Sequence, residues 1–298
     1  MDDILKLEHI YQYNDRVGYE TRHPLVSVID FSKCLPIEPV RRLFGFYAVF
    51  LKDVKCGDLR YGRQYYDYQE GTLVFLAPGQ VVEVGNRDQA VQPKGWGLLF
   101  HPDLLKGTSL GRMMKNYTFF SYESNEALHL SDQERQVVFD CLGNIEAELH
   151  RGIDKHSKML ITSNIELLLN YCLRFYDRQF VTRENVNKDI LIRFEELIDD
   201  YFQSGKPMNT GLLTVGYCAD RLHLSANYFG DLIKKETGRT AQEHIQMKLM
   251  DIAKEKVLDP SKTISEISYE LGFQYPQHFT RLFKRCVGCT PNEYRTVN

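Results

Sequence analysis

The sequence predicts an α+β chain with a β-rich N-terminal domain, a helical segment and an all-helical C-terminal domain. Short runs of β-branched and aromatic residues fill the first third of the chain, apolar residues at helical spacing follow, and one helical pattern then occurs twice. The 298 residues are enough for two domains with full cores. We place these domains at residues 1–178 and 189–298, with a polar linker at residues 179–188.

The segment from about residue 20 to about residue 105 has the composition of several short strands. Leu25–Ser32 and Phe44–Lys52 are rich in β-branched and aromatic residues, and Asp58–Tyr68 alternates between two faces. Gly71–Val84 predicts a strand, a Pro-Gly turn and a second strand. Strands at such regular intervals predict a small antiparallel barrel or sandwich.

A barrel of this kind can hold a small effector in its interior. We expect aromatic residues and one arginine to line such a pocket, although aromatic residues in strands more often belong to an ordinary core. The candidates are Tyr47, Tyr61, Arg63, Tyr65 and Trp96.

Two helices are predicted over residues of about 131–176. Ser131 and Glu134 form a capping box that begins the first helix, which runs to about His150, and the second covers roughly Ser157–Tyr176. The first helix carries an apolar seam that is suited to packing against another helix, and a helix of a second copy in a dimer is one candidate. Burial against the barrel of the same subunit is the alternative. The seam consists of Val138, Leu142, Ile145 and Leu149.

The C-terminal domain contains the same pattern of residues twice. Val215–His244 aligns with Ile264–Tyr294 with one inserted residue, and both copies end in Gly-x-Thr-x-x-Glu. Each copy has a short amphipathic helix, a turn and a second helix, which predicts helix-turn-helix units at residues 213–238 and 264–288. The alternative is a pair of solvated helix hairpins without a ligand.

The second helix of each unit, at residues 225–237 and 276–287, leaves a polar face outward, as a recognition helix does for the major groove. Arg281 has the shape for a bidentate contact to guanine, while Asp231 repels phosphate. In the first unit, therefore, either Asp231 accepts a hydrogen bond from a cytosine amino group, or the unit recognises mainly the shape of the DNA. The predicted DNA-binding residues are Ser225, Asn227, Gly230, Asp231, Lys234, Lys235, Gln277, His278, Thr280, Arg281, Lys284 and Arg285.

Over Leu213–Arg295 the chain resembles the AraC-type (AraC/XylS) bacterial transcription regulators, above all in the run GFQYPQHFTRLFKRCVGCTPNEYR at its end. The resemblance implies two recognition helices in successive major grooves of double-stranded promoter DNA. It implies that a long helix sets their separation, and Glu243–Leu258 fits that helix. It also implies a cupin-like sensory barrel before this module, a homodimer, a small-molecule effector and contact with RNA polymerase.

Charge is distributed unevenly in a chain whose formal net charge is −3. Near the C-terminus Arg281, Lys284, Arg285 and Arg295 are opposed by the single acidic residue Glu293. We therefore expect the second unit to supply more of the attraction to phosphate than the first.

The seven cysteines are scattered and odd in number, which favours a reducing compartment over a disulfide framework. Only Cys286 and Cys289 form a C-x-x-C pair, and we expect structural thiols there because no further zinc ligands stand nearby. The sequence lacks an apolar run of the roughly 18 residues that span a membrane, and it begins without a secretory signal. We expect a cytoplasmic protein without a cofactor or metal.

Two enzyme classes are alternatives to a DNA-binding regulator. Metal-binding cupin enzymes carry clustered histidines, whereas no histidine lies between Pro24 and His101 here. A methylated-DNA repair protein needs a reactive cysteine in a tight consensus, which is lacking around each of Cys34, Cys56, Cys141 and Cys172. We therefore expect no enzyme. A regulator that is controlled by a protein partner, without a small-molecule effector, remains the alternative.

Overall fold

The computed structural model describes residues 4–38, 40–52, 59–61, 64–66, 71–84, 92, 94–123, 126–182 and 184–297. Contacts divide the chain into two compact units, Met1–Thr182 and Arg183–Asn298.

The first unit combines two sheets with helices. Its strands are β1 (Leu5–Leu7), β2 (Val26–Asp30), β3 (Arg41–Phe44), β4 (Tyr47–Lys52), β5 (Leu59–Tyr61), β6 (Gln64–Tyr66), β7 (Thr72–Leu76), β8 (Val81–Val84), β9 (Gly95–Phe100) and β10 (Leu128–His129). Its helices are α1 (Ile10–Val17), α2 (Pro102–Leu105), α3 (Ser109–Met113), α4 (Asp132–His150) and α5 (Ser157–Thr182).

The described strands form two five-stranded sheets, in the orders β1-β3-β8-β5-β6 and β10-β7-β4-β9-β2. Phe44 and Val82 of one sheet share a buried cluster with Ala48, Val74 and Leu99 of the other. Among the described strands, the two sheets are not hydrogen-bonded to each other and do not form a closed barrel. The mixed class of strands and helices is as predicted.

The predicted strand, turn and strand over Gly71–Val84 are present, but they do not pair with each other. β7 pairs with β4 and β10, whereas β8 pairs with β3 and β5, so the chain changes sheets at the Pro-Gly turn. The Gly79 N–H donates to the Phe44 carbonyl oxygen at 2.7 Å, and Gln80 Oε1 accepts from the Ala77 N–H at 2.8 Å. These contacts hold the turn against β3 rather than closing a hairpin.

Helix α4 confirms the predicted capping box. The Ser131 hydroxyl accepts from the Glu134 N–H, and Glu134 Oε2 accepts from the Ser131 N–H at 2.8 Å. The helix ends at His150, as predicted.

The apolar seam of α4 is buried inside its own unit, which corrects the predicted dimer contact. Val138, Leu142, Ile145 and Leu149 are at most 9% exposed, and α4 packs on α5 and β2. A helical seam fits a helix of the same chain as well as one of a second copy, so spacing alone did not distinguish them. Burial within the same subunit accounts for these residues.

Helix α5 continues to Thr182, beyond the predicted end at Tyr176 and into the range predicted as a linker. Its last turns are held by buried side chains, because Gln179 Oε1 accepts from the His129 N–H at 2.8 Å and Gln179 Nε2 donates to the Ala127 carbonyl oxygen at 3.2 Å. Phe180 is also buried. A buried amide side chain such as that of Gln179 adds nothing to the apolar periodicity. The periodicity therefore predicted an end of the helix that is too early.

The second unit is helical throughout its described elements. These are α6 (Glu184–Gln203), α7 (Lys206–Thr210), α8 (Val215–Leu222), α9 (Ala226–Thr237), α10 (Ala241–Val257), α11 (Ile264–Glu270), α12 (Pro276–Val287) and α13 (Pro291–Val297). In neither unit is any described helix long and apolar enough to cross a bilayer.

Both predicted helix-turn-helix units are present, as α8 with α9 and as α11 with α12. The turn after the first helix contains a left-handed residue in each unit, His223 with φ 59° and Gly272 with φ 91°. α6 lies under the first unit, where Phe194 meets Phe229 edge-on at 4.9 Å. The buried Asn187 of α6 also donates to Glu236 at 2.8 Å.

Gly272 lies where two backbone segments of the second unit approach closely. A Cβ atom there would stand 2.7 Å from the carbonyl carbon and oxygen of Gly211 and 3.0 Å from the Pro207 carbonyl oxygen. The left-handed φ adds a second reason for glycine, since other residues are strained there.

Two lysines hold the end of α11 by its last residue, Glu270. Lys256 Nζ lies 2.8 Å from one carboxylate oxygen and Lys262 Nζ 2.5 Å from the other. Hydrogen bonds from Lys256 and then Lys262 hold the pKa of Glu270 below its usual range. The ion pair with Lys256 ties the second helix-turn-helix unit to α10.

We predict that Gly272→Ala lowers the free energy of unfolding by about 2 to 4 kcal/mol, because backbone strain and overpacking add. Gly230→Ala is the matched control, since Gly230 lies within α9 with open space around it, and it should stabilise by about 0.5 to 1 kcal/mol. Urea unfolding followed by circular dichroism measures both. Equal stability of Gly272→Ala and the wild type would contradict the close approach.

We predict that Glu270→Gln lowers the thermal midpoint at neutral pH. A depressed pKa stabilises the fold above the ordinary glutamate value of 4.5, and this contribution is lost as the pH falls below it. The difference between variant and wild type should therefore shrink below pH 4.5. Glu196→Gln, at an exposed position of α6, is the control and should show no such trend. A difference that is independent of pH would rule out the ion-pair explanation.

Candidate nucleic-acid interface

The recognition helix of the second unit, α12, presents a basic and polar face to solvent. Gln277, His278, Arg281, Lys284 and Arg285 are all exposed. Arg281 and Arg285 make no ion pair with the described residues. Such unpaired guanidinium groups can bind phosphate or a base edge without first breaking an internal contact.

Two other polar residues of this unit are engaged internally. The Thr280 hydroxyl donates to the Pro276 carbonyl oxygen at 3.1 Å, so its oxygen can still accept while its proton is already used. Arg295 donates to the carbonyl oxygens of Val257 at 2.6 Å and Lys262 at 2.9 Å. Arg295 therefore fixes α13 to its neighbours and adds less to phosphate attraction than its charge suggested.

The first unit exposes a different set of residues on α9. Asn227, Lys234 and Lys235 are exposed, while Gly230 and Asp231 are half-buried. The Ser225 hydroxyl caps the helix by accepting from the Tyr228 N–H at 3.2 Å. The two cations lie in the last turns of the helix, and the centre of its outer face holds a glycine and an acid.

One phenylalanine in each unit sets the rotation of its recognition helix. Phe229 and Phe279 stand at the same position of the repeat, and both are fully buried. Phe279 packs on Phe273 and Phe283, with ring centroids 5.4 and 5.6 Å apart. With these rings inward, the opposite residues of each helix must face solvent.

Tyr275 is an interface candidate that the sequence analysis missed. It is 54% exposed at the N-terminus of α12, and its ring meets His278 edge-on at 5.5 Å. Its place directly before Pro276, which begins the recognition helix, was the available signal.

Of the predicted effector residues, Tyr47 and Trp96 do not face the interior between the sheets. Tyr47 stacks on Phe100 with centroids 5.0 Å apart, and Trp96 meets Phe139 of α4 edge-on, so both lie on the face that packs against helices. Tyr61 and Tyr65 lie in the β5-β6 hairpin. Arg63 lies outside the described residues.

Tyr47 does line an open groove of about 370 Å³ on this outer face. Leu105, Lys106 and Arg112 also line it. Burial raises the pKa of the Tyr47 hydroxyl, so this group stays protonated at neutral pH. The groove thus offers an aromatic wall, a phenol and two cationic side chains.

Comparison with known proteins assigns the C-terminal part to a domain family. A family model described as a helix-turn-helix domain matches residues 218–296. The transcriptional regulators YtdP and YobQ of Bacillus subtilis, both named as HTH-type, are each 32% identical to this chain over 83 and 85 residues. These matches cover 28% of this chain in both cases, but 11% of YtdP and 35% of YobQ.

A longer match relates the chain to the TetD protein of transposon Tn10 from Escherichia coli. The two are 33% identical over 143 residues, which is 48% of this chain and 91% of TetD. The duplicated helix-turn-helix unit, the matching domain family and this relative together identify the chain as a member of the AraC-type (AraC/XylS) family of transcription regulators.

Proposed function

We propose that the chain regulates transcription by binding promoter DNA, with α12 as the main reader of sequence. The observation that supports this most directly is the exposed face of α12, where Arg281 and Arg285 have no ion pair among the described residues. Arg281 is the candidate for a bidentate contact to guanine, and Gln277 and His278 lie on the same side. Lys284 and Arg285 lie about a turn later and contact phosphate.

In this proposal α9 mainly positions the protein on DNA. Gly230 offers no side chain to a base, and the carboxylate of Asp231 repels phosphate. Asn227, Lys234 and Lys235 remain to contact the backbone of the duplex. Contacts of this kind fix register without reading sequence.

The regulator acts as a homodimer that is joined through the exposed face of α5. Leu160 and Leu167 are 43% and 46% exposed, and both lie on one stripe of the helix with the half-buried Tyr171. The opposite side of α5 packs on α4 within the unit. Leu160 and Leu167 are seven residues apart, which is the spacing of the contact residues in paired helices. The same helix of a second copy can therefore cover this stripe.

We also propose that the chain binds a small effector, and that the groove beside Tyr47 is the binding site. The volume of about 370 Å³ suits a small molecule, and Lys106 and Arg112 suit an acidic one.

In this proposal the protein lies in the cytoplasm, where promoter DNA is accessible, and it contacts RNA polymerase there. That it is not an enzyme stays a prediction.

We predict that Arg281→Ala weakens binding to a promoter fragment by about 1 to 3 kcal/mol at fixed salt. Arg281→Lys should lose specific binding but keep most of the binding to random duplex, since lysine retains charge without the planar fork. Fluorescence anisotropy measures both. Arg193→Ala removes an exposed arginine of α6 and serves as the control. If Arg193→Ala loses as much affinity as Arg281→Ala, the loss of affinity comes from the removal of a positive charge and not from the loss of a contact to a base.

We predict that Leu167→Asp converts the full-length dimer into a monomer in sedimentation velocity at micromolar concentration. The charge would lie in the centre of the proposed contact, where it has no partner. Leu35→Asp changes a leucine of the same unit that is 58% exposed, and it should leave the dimer intact. A wild-type chain that sediments as a monomer would exclude the dimer.

A further inference from the structure

Tyr275 is an exposed aromatic residue directly before the recognition helix α12. Its side chain is 54% exposed, and among the described residues it lies outside the buried cluster that contains Phe273, Phe279 and Phe283. An aromatic side chain that stays half in solvent stabilises a fold less than a buried one, because less apolar surface is removed from water. Packing in the core therefore does not explain a tyrosine at this position.

Tyr275 occupies the position from which a side chain usually caps a helix. Helices α8, α9, α10 and α11 each follow a residue whose hydroxyl accepts an N–H of the first turn, namely Thr214, Ser225, Thr240 and Thr263. Tyr275 makes no such capping hydrogen bond within the described part of the chain. Helix α12 thus lacks an interaction that its neighbours have.

The first helix-turn-helix unit shows what the repeat has at this position without the aromatic ring. Tyr275 lies four residues before the buried Phe279, and Ser225 lies four residues before the equivalent Phe229. The Ser225 hydroxyl accepts from the Tyr228 N–H at 3.2 Å. A tyrosine in place of a capping serine costs helix stability, so a role in the fold does not account for it.

The backbone holds Tyr275 in an extended conformation. The next residue, Pro276, begins the helix and restricts the residue before it to extended angles. Tyr275 has φ −132° and ψ 121°, and its carbonyl oxygen accepts from the His278 N–H at 3.0 Å. The ring is therefore attached at a defined point at the N-terminal end of α12, and little backbone ordering is needed when it meets a ligand.

Tyr275 extends the exposed face of α12 toward the N-terminus. Its ring meets the ring of His278 edge-on, with centroids 5.5 Å apart. Arg281 follows three residues after His278, and residues with this spacing are neighbours on a helix surface. Tyr275, His278 and Arg281 thus form one exposed row. In helix-turn-helix proteins the N-terminal residues of the recognition helix contact base edges, which places the Tyr275 end of the row at the bases.

The major groove offers a tyrosine ring an apolar partner. Thymine carries a 5-methyl group there, and apolar side chains distinguish thymine by contact with this group. Phosphate attracts cations instead, which α12 supplies further along with Lys284 and Arg285. An uncharged ring at the N-terminal end suits a base edge better than the phosphate backbone.

We propose that Tyr275 is a specificity-determining residue that recognises a thymine through its 5-methyl group, beside the base contacted by Arg281. This inference rests on the proposed function, in which α12 is the main reader of DNA sequence. The methyl contact adds to the hydrogen bonds that Gln277 and Arg281 offer to base edges. The capping hydrogen bond that the first unit keeps is replaced in the second unit by a contact to DNA.

The experiment compares thymine with deoxyuridine, which lacks only the 5-methyl group. The wild-type full-length chain selects a duplex from DNA with about 20 randomised base pairs, which span two grooves one helical turn apart. Deoxyuridine then replaces each thymine of the selected duplex in turn, and fluorescence anisotropy gives the dissociation constants. Tyr275→Ser restores the cap of the first unit, and Tyr275→Phe keeps the ring. Tyr269→Ser, which removes a 48% exposed tyrosine of α11, is the matched control.

For the wild type we expect deoxyuridine at one thymine position to weaken binding about fourfold, as the loss of one buried methyl group does. Tyr275→Ser should bind both duplexes equally. Its thermal midpoint by circular dichroism should equal or exceed that of the wild type, because a cap is restored. Tyr275→Phe and Tyr269→Ser should keep the preference for thymine.

Three results overturn the assignment of Tyr275. The first is wild-type binding that is indifferent to deoxyuridine at every position, which needs no variant to fold. The second is a Tyr275→Ser variant that still prefers thymine. The third is an equal loss of the preference in Tyr275→Phe and Tyr275→Ser, which assigns the contact to the hydroxyl group.

Arg281→Ala on the same selected duplex separates this inference from the proposed function. If Arg281→Ala retains full affinity, α12 is not the main reader and the proposed function fails with it. If Arg281→Ala loses affinity while deoxyuridine has no effect, only the assignment of Tyr275 is wrong.

Discussion

The second unit depends on the burial of one phenylalanine under each recognition helix. Phe229 and Phe279 fill equivalent positions, and loss of either ring would open a cavity that typically costs about 3 to 5 kcal/mol. With the ring fixed, the helix cannot rotate, and the same face is always presented outward. The left-handed residues His223 and Gly272 then set the angle at which each helix leaves its turn.

This shared scaffold separates the fold of the two units from what each can recognise. The buried positions repeat, whereas the outward positions diverge, so that Arg281 stands where the first unit has Asp231. A recognition helix with a glycine and an acid at its centre can lie in a groove, but it has little with which to read bases. In the proposed function the duplication therefore gives one reader and one support rather than two equal readers.

Local patterns in the sequence predicted most helices and the internal repeat, because those patterns arise from helical spacing and capping. The capping box of Ser131 and Glu134 is an example. Long-range partners were beyond such patterns. Gln179 extends α5 by bonding to the strand β10, and the seam around Val138 proved to face helix α5 of the same chain. Of the candidate DNA-binding residues, those facing solvent were predictable from the repeat, whereas the internal hydrogen bonds of the nearby Arg295 required the structure.

Selection of bound sequences from a pool of random DNA duplexes would show whether the two recognition helices are unequal. If α12 is the main reader, the selected sites contain one sharply defined segment that includes a guanine and a second, weakly defined segment about one helical turn away. Two segments of equal sharpness would show instead that α9 reads bases as well as α12 does.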